Sequence, residues 1–275
     1  MIGTFHHAAV VVRDATAALG AFRDLLGLEV IADEVIEDQG VRAVVLGAGN
    51  EELELVQPIR PDTGVARYLE DRGERVHHVG LRTDDIVGDL ARLEALGIRL
   101  IDREPRETRA GLSAFIHPKS MQGVLIELVQ PPAVEPERPG LGLHHFATLS
   151  GDYPKAIELW TKTLGLELRR EMPQPEREMV RGFVHGGVPF MEIIGATSPE
   201  SRFYRRLERD REGPVSTIAF FVPDFAATVA RFRRAGYDVP EPTDPNHPRV
   251  LFPNDEGIHG VFIQLLPADS NEEPA

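Results

Sequence analysis

The sequence predicts an α+β chain of four βαβββ modules arranged as two tandem halves. Two repeats point to it. "FHHAAVV" at Phe5 returns as "LHHFATL" at Leu143, a period of about 138 residues, and "LGLEV" at Leu26 returns as "LGLEL" at Leu164. Within the first half, "FHHAAVVV" and "LELVQP" are answered by "VHHVGLR" and "LIELVQP". A third observation marks the modules. His7 and His78 lie in opening strands, and Glu54 and Glu127 lie in closing ones.

The elements follow in order. Residues 5–12 alternate as a strand, and 15–26 carry a helical pattern with Asp14 as N-cap and Gly27 as its stop. Strands near 28–36, 41–46 and 52–58 complete the first module. The second repeats the plan with a strand at 76–83 and a helix at 86–96 behind Asp84 or Asp85. Gly97 then precedes strands near 98, 113 and 124. Modules three and four start near Leu143 and Val215, and helices at 65–72 and 200–209 bridge the modules within each half. This divides the chain into a metal-binding domain at 1–131, a Pro-rich linker at 132–141, a second domain at 142–267 and a disordered tail at 268–275.

Composition narrows the function. The 275 residues contain no cysteine, which excludes disulfides, thiolate metal sites and cysteine nucleophiles. A net charge of −14 argues against a basic nucleic-acid face. No charged-then-apolar leader and no membrane-length apolar run is visible, so the expectation is a cytoplasmic protein that acts on a small molecule.

Two imidazoles and two carboxylates can complete the protein ligands of a divalent metal. Alternation gives each of His7, Glu54, His78 and Glu127 a choice between solvent and a cavity, and their matched positions favour the cavity. A ligand set of nitrogen and oxygen without sulfur suits Co²⁺, Zn²⁺, Ni²⁺, Mn²⁺ or Mg²⁺. His6 and His77 should point to the opposite face in structural roles. Arg103, Arg106 and Arg109 read as solvated, with contact to phosphates the alternative.

On these strands the chain resembles the vicinal oxygen chelate superfamily of glyoxalase fold, giving two tandem domains of that kind. Its first 130 residues resemble methylmalonyl-CoA epimerases through "DQGV", "GNEELELVQP", "VHHVGLRTDDI" and "HPKSMQGVLIELVQ". The resemblance implies His7, Glu54, His78 and Glu127 as metal ligands and an acyl thioester as substrate. It also implies a base on each face of an enolate, Asp38 and Glu127, with Lys119 and Ser120 as substrate contacts. The family pattern carries Glu where this chain has Asp38, one methylene longer.

The second half keeps His145 and Glu192 but has Thr217 and Gln264 in place of the other two ligands, so it reads as a built-in partner of the first in an internal pseudo-dimer. Pairing modules two and three would assemble His78, Glu127, His145 and Glu192 instead; pairing within residues 1–130 is favoured because it keeps Asp38 beside the metal. Homo-oligomerisation stays open. The expected function is a metal-dependent isomerase. The alternatives are a glyoxalase-type lyase, an extradiol dioxygenase, or a non-catalytic binding or resistance protein of the same fold.

Overall fold

The computed structural model describes residues 1–132, 141–185, 187–210, 215–242, 248–252 and 258–268. Most of the expected linker and the tail from 269 onward lie outside the described residues.

In the first half, β1 (Ile2–Val11) leads into α1 (Ala15–Leu19), which continues as a π-helical stretch, Gly20–Leu26. Asp14 caps the helix by accepting from the amides of Thr16 and Ala17, and Gly27 ends it in the left-handed region at φ 100°. β2 (Glu29–Ile36), β3 (Val41–Ala48) and β4 (Glu51–Pro58) follow, then α2 (Gly64–Arg72). β5 (Arg75–Thr83), α3 (Ile86–Ala95), β6 (Arg106–Thr108), β7 (Gly111–Ile116) and β8 (Ile126–Gln130) form the second module. The eight strands make one sheet in the order β2-β3-β4-β1-β5-β8-β7-β6. Modules one and two therefore meet through their opening strands, β1 antiparallel to β5, which settles the pairing.

The second half repeats this. β9 (Gly142–Ser150), α4 (Tyr153–Glu158), β10 (Glu167–Gln174), β11 (Met179–His185), β12 (Phe190–Ala196) and α5 (Arg202–Asp210) come first. β13 (Val215–Val222), α6 (Phe225–Arg234), β14 (Val250–Leu251) and β15 (Phe262–Pro267) close it. Its sheet runs β10-β11-β12-β9-β13-β15-β14, the same order less one edge strand among the described residues. Among the described residues no helix is long and apolar enough to cross a membrane.

In the first half α1 packs on β3 and β4 and α3 on β7 and β8, and the buried apolar side chains of both halves merge into one core. Phe5 of β1 and Phe146 of β9, both fully buried, have ring centroids 5.1 Å apart, and Trp160 lies 6.2 Å from Phe5. Polar ties frame this contact. The Arg231 side chain donates to the Leu25 carbonyl at 2.8 Å, and Glu74 pairs with His259 at 2.8 Å. Replacing Phe5 by Ala should cost about 3–5 kcal/mol as a core cavity. Urea denaturation followed through Trp160, the sole tryptophan, measures that loss.

Candidate metal centre

The face of the first sheet opposite α1 and α3 holds the predicted residues in two neighbouring rows. Cross-strand register sets Val45, Glu54, Ala9 and His78 side by side, and next to them Gly47, Glu52, His7, Gly80, Glu127 and Phe115. His7 and His78 are thus diagonal neighbours across the β1–β5 seam, a placement from which long side chains meet. Their Nε2 atoms lie 3.0 Å apart, and Glu127 Oε2 lies 3.2 Å from each. Ligand atoms of His7, Glu54 and His78 all fall within 4.8 Å of one another.

This arrangement fits a divalent ion. Ligands at right angles about an ion roughly 2.1 Å away are separated by about 3.0 Å, close to the edges of the His7–His78–Glu127 triangle. Charge is compatible. Glu52, Glu54 and Glu127 share the face, and Arg109 bonds Glu52 and lies 3.9 Å from Glu54.

The titrations follow from the geometry. Burial lowers the His7 pKa, but the charge of Glu54 and the hydrogen bond that His7 donates to Glu127 outweigh it and raise the group above its ordinary value. Burial raises Glu127, yet hydrogen bonds from His7 and His78 hold it well below the usual carboxylate range.

His6 and His77 do not simply face away. The β1–β5 ladder slips between Phe5 and His7 and again between Ala9 and Val10, where the β5 partner steps from His78 to Val76. His6 and His77 are the extra residues of these two bulges, so strand alternation fails there. Each turns its Nδ1 onto the next histidine's Nδ1, at 2.9 Å for His6–His7 and 3.0 Å for His77–His78. These bonds orient the Nε2 atoms toward the centre of the cluster. Burial and the neighbouring His78 lower the pKa of His77 to about 3, so it stays neutral.

Gly80 is a residue that sequence reasoning missed. A Cβ there would stand 2.3 Å from the His7 ring, so only glycine leaves the imidazole room. The second half offers the signal that could have found it. At the same register Ala219 faces His145, and Thr217 and Gln264 stand opposite Ala147 and Ala219. There His145 stacks on Phe190 at 5.1 Å, and Arg181 bonds Glu192 directly. Burial, His144 and Arg181 hold His145 well below its ordinary pKa. A guanidinium thus lies on the second-half glutamate at the place where the first half gathers its ligands.

Other expected residues lie apart. Asp38 is exposed in the turn at 37–40. Val45 of β3 faces Glu54, and the turn begins beyond Val41, four residues or about 13 Å further along the strand. Lys119 and Ser120 sit in a short 3₁₀ turn, where the Ser120 hydroxyl accepts from the Arg99 amide at 2.9 Å. Arg103 is a solvated residue paired with Glu94.

Residues 6–116 and 142–264 each match a model of the Glyoxalase/Bleomycin resistance protein/Dioxygenase superfamily. The chain belongs to that superfamily, as two tandem domains. Its first half resembles methylmalonyl-CoA epimerases. It is 34% identical to an ethylmalonyl-CoA/methylmalonyl-CoA epimerase of Cereibacter sphaeroides, over 47% of this chain and 99% of the relative. It is 32% identical to the mitochondrial methylmalonyl-CoA epimerase of Mus musculus, over 47% of this chain and 74% of the relative. The whole chain shares its fold with a variant of 4-hydroxymandelate synthase from Streptomyces coelicolor. That match has a TM-score of 0.77 and 19% identity, and covers 97% of this chain and 92% of the other.

Four outcomes test the centre. Purified protein should take up about one divalent ion per chain by elemental analysis. His7→Ala and His78→Ala should abolish uptake, while His145→Ala keeps it. Gly80→Ala should weaken zinc binding at least about tenfold by calorimetry while the far-ultraviolet spectrum holds. Because His7 must lose its proton to bind, affinity should fall by about tenfold per pH unit below its raised pKa. An affinity independent of pH across the acid range would contradict that assignment.

Proposed function

We propose that the first half is a metal-dependent isomerase of the epimerase type, acting at the α-carbon of a 2-substituted malonyl-type acyl-CoA. The observation that carries this reading is the triangle of His7 Nε2, His78 Nε2 and Glu127 Oε2, with edges of 3.0, 3.2 and 3.2 Å. The epimerase resemblance over this half supports it. A divalent ion held by His7, Glu54, His78 and Glu127 supplies Lewis-acid stabilisation of an enolate.

The chain's own residues move the proton. The α C–H bond breaks toward a Glu127 oxygen, and its electron pair passes to the thioester carbonyl oxygen as an enolate. Return of the proton from Glu127 restores the same configuration, while a proton from the opposite face inverts it. Asp38 is our candidate for that second proton, and it must travel with the 37–40 turn to deliver it. Exchange at the Glu127 face should therefore outpace inversion.

Metal-loaded protein incubated with methylmalonyl-CoA in D₂O tests this through α-deuterium uptake and chiral analysis. Glu127→Gln should abolish exchange. Asp38→Asn should slow inversion more than exchange, and Asp38→Glu should preserve or raise inversion. A metal-loaded wild-type protein that exchanges no α-proton of a malonyl-type thioester would sink the reading.

A further inference from the structure

We propose that Arg106 and Ser113 form an anion-binding subsite beside the cluster, which receives a carboxylate oxygen of the substrate. The choice of substrate rests on the function proposed above; the subsite itself rests on two unsatisfied donors. Ser113 is fully buried, and its hydroxyl has no hydrogen-bond partner among the described residues. The Nε of Arg106 is likewise buried and without a partner.

Both side chains share the face that bears the cluster. Phe115 stands opposite Glu127 and its ring meets His78 edge-on at 5.1 Å, which fixes the face of β7. Ser113 is two residues along on that face, opposite Val129, and Arg106 of β6 stands opposite Ser113. The Arg106 guanidinium lies over the Phe115 ring at 5.5 Å, so the aromatic ring joins the subsite to the histidines. The step from Glu127 is about 7 Å along the strand, the scale of a short dicarboxylic acyl group.

The two arginines of this edge differ in their engagement. Arg109 is committed to Glu52, with Glu54 and Glu34 nearby, whereas Arg106 has no carboxylate partner among the described residues. A buried hydroxyl and a buried guanidinium N–H left without acceptors are costly, and a carboxylate satisfies both with charge-assisted bonds. The opposite end of the same face is apolar, where Ala9, Val41 and Val56 cluster with Ile36 and Val65. A substrate with a carboxylate at one end and a small alkyl branch toward the other matches this polarity.

Calorimetric titration of malonate and propionate into the metal-free and the zinc-loaded full chain tests the subsite. Wild-type protein should bind malonate in both forms and prefer it to propionate. Arg106→Gln should weaken malonate about tenfold or more in both forms, and should weaken propionate as well in the metal-free form, because its one carboxylate meets the same guanidinium. Ser113→Ala should weaken malonate several-fold and raise the melting temperature, since it removes a buried unsatisfied hydroxyl. A lower melting temperature, or unchanged malonate affinity in both variants, would overturn the subsite. Failure of the wild type to bind zinc would count against the proposed function alone, because the metal-free malonate titration still decides the role of Arg106 and Ser113.

Discussion

The seam between β1 and β5 is the constraint on which the rest of the first half depends. Two opening strands run antiparallel, and their diagonal register lets two imidazoles from modules 71 residues apart touch through Nε2. Each seam strand carries a parallel neighbour on its outer side, β4 beside β1 and β8 beside β5. Those neighbours bring Glu54 and Glu127 into the same two rows. The four candidate ligands thus come from the four central strands, whose backbones are held by hydrogen bonds on both sides, and a site on such strands is positioned more rigidly than one on loops. The two bulges complete the device: the inserted His6 and His77 turn back onto the ligand histidines instead of facing away.

Small residues decide which half can gather its ligands. His7 faces Gly80 across the seam, while His145 faces Ala219. One Cβ at Gly80 would overlap the ring, so the absence of that carbon is as much a part of the first centre as the histidines. In the second half the imidazole stacks on Phe190 and a guanidinium lies against Glu192. The electrostatic demand is common to both halves, because a buried carboxylate must find a cation. Arg181 meets it within the second half. The first half has Arg109 for Glu52, and its remaining carboxylates converge with two histidines.

What was legible in the sequence was whatever alternation and repetition encode locally. The four modules, their order and the placing of His7, Glu54, His78 and Glu127 on one face of the sheet follow from strand periodicity combined with matched positions. Asp38 was less legible because a turn residue owes its place to hairpin length and curvature, which no local period records. His6 and His77 defeated the alternation rule at bulges, where one extra residue re-aims a side chain. Gly80, Arg106, Arg109 and Ser113 owe their meaning to cross-strand partners far away in sequence. Only the comparison of Gly80 with Ala219 between repeats carried a hint of it.

The whole-chain likeness to a 4-hydroxymandelate synthase at 19% identity is a likeness of fold, and one fold hosts many reactions. Chemistry must be argued from the face of the sheet that bears the cluster. An oxygen-activating centre of the two-histidine, one-carboxylate kind leaves positions open for its reactants. Here two carboxylates flank the histidine pair, with Glu54 within 4.8 Å of both and Glu127 at 3.2 Å from each. An anionic ligand set favours stabilising negative charge only if the substrate brings its own charge to a separate partner, since three face glutamates would repel a dianionic acyl group. Arg109 neutralises part of that charge, and Arg106 stands further out with its Nε unengaged. The cations of β6–β7 and its turn thereby offset part of the negative charge of this face, which is the electrostatic condition for an acidic ligand to approach it.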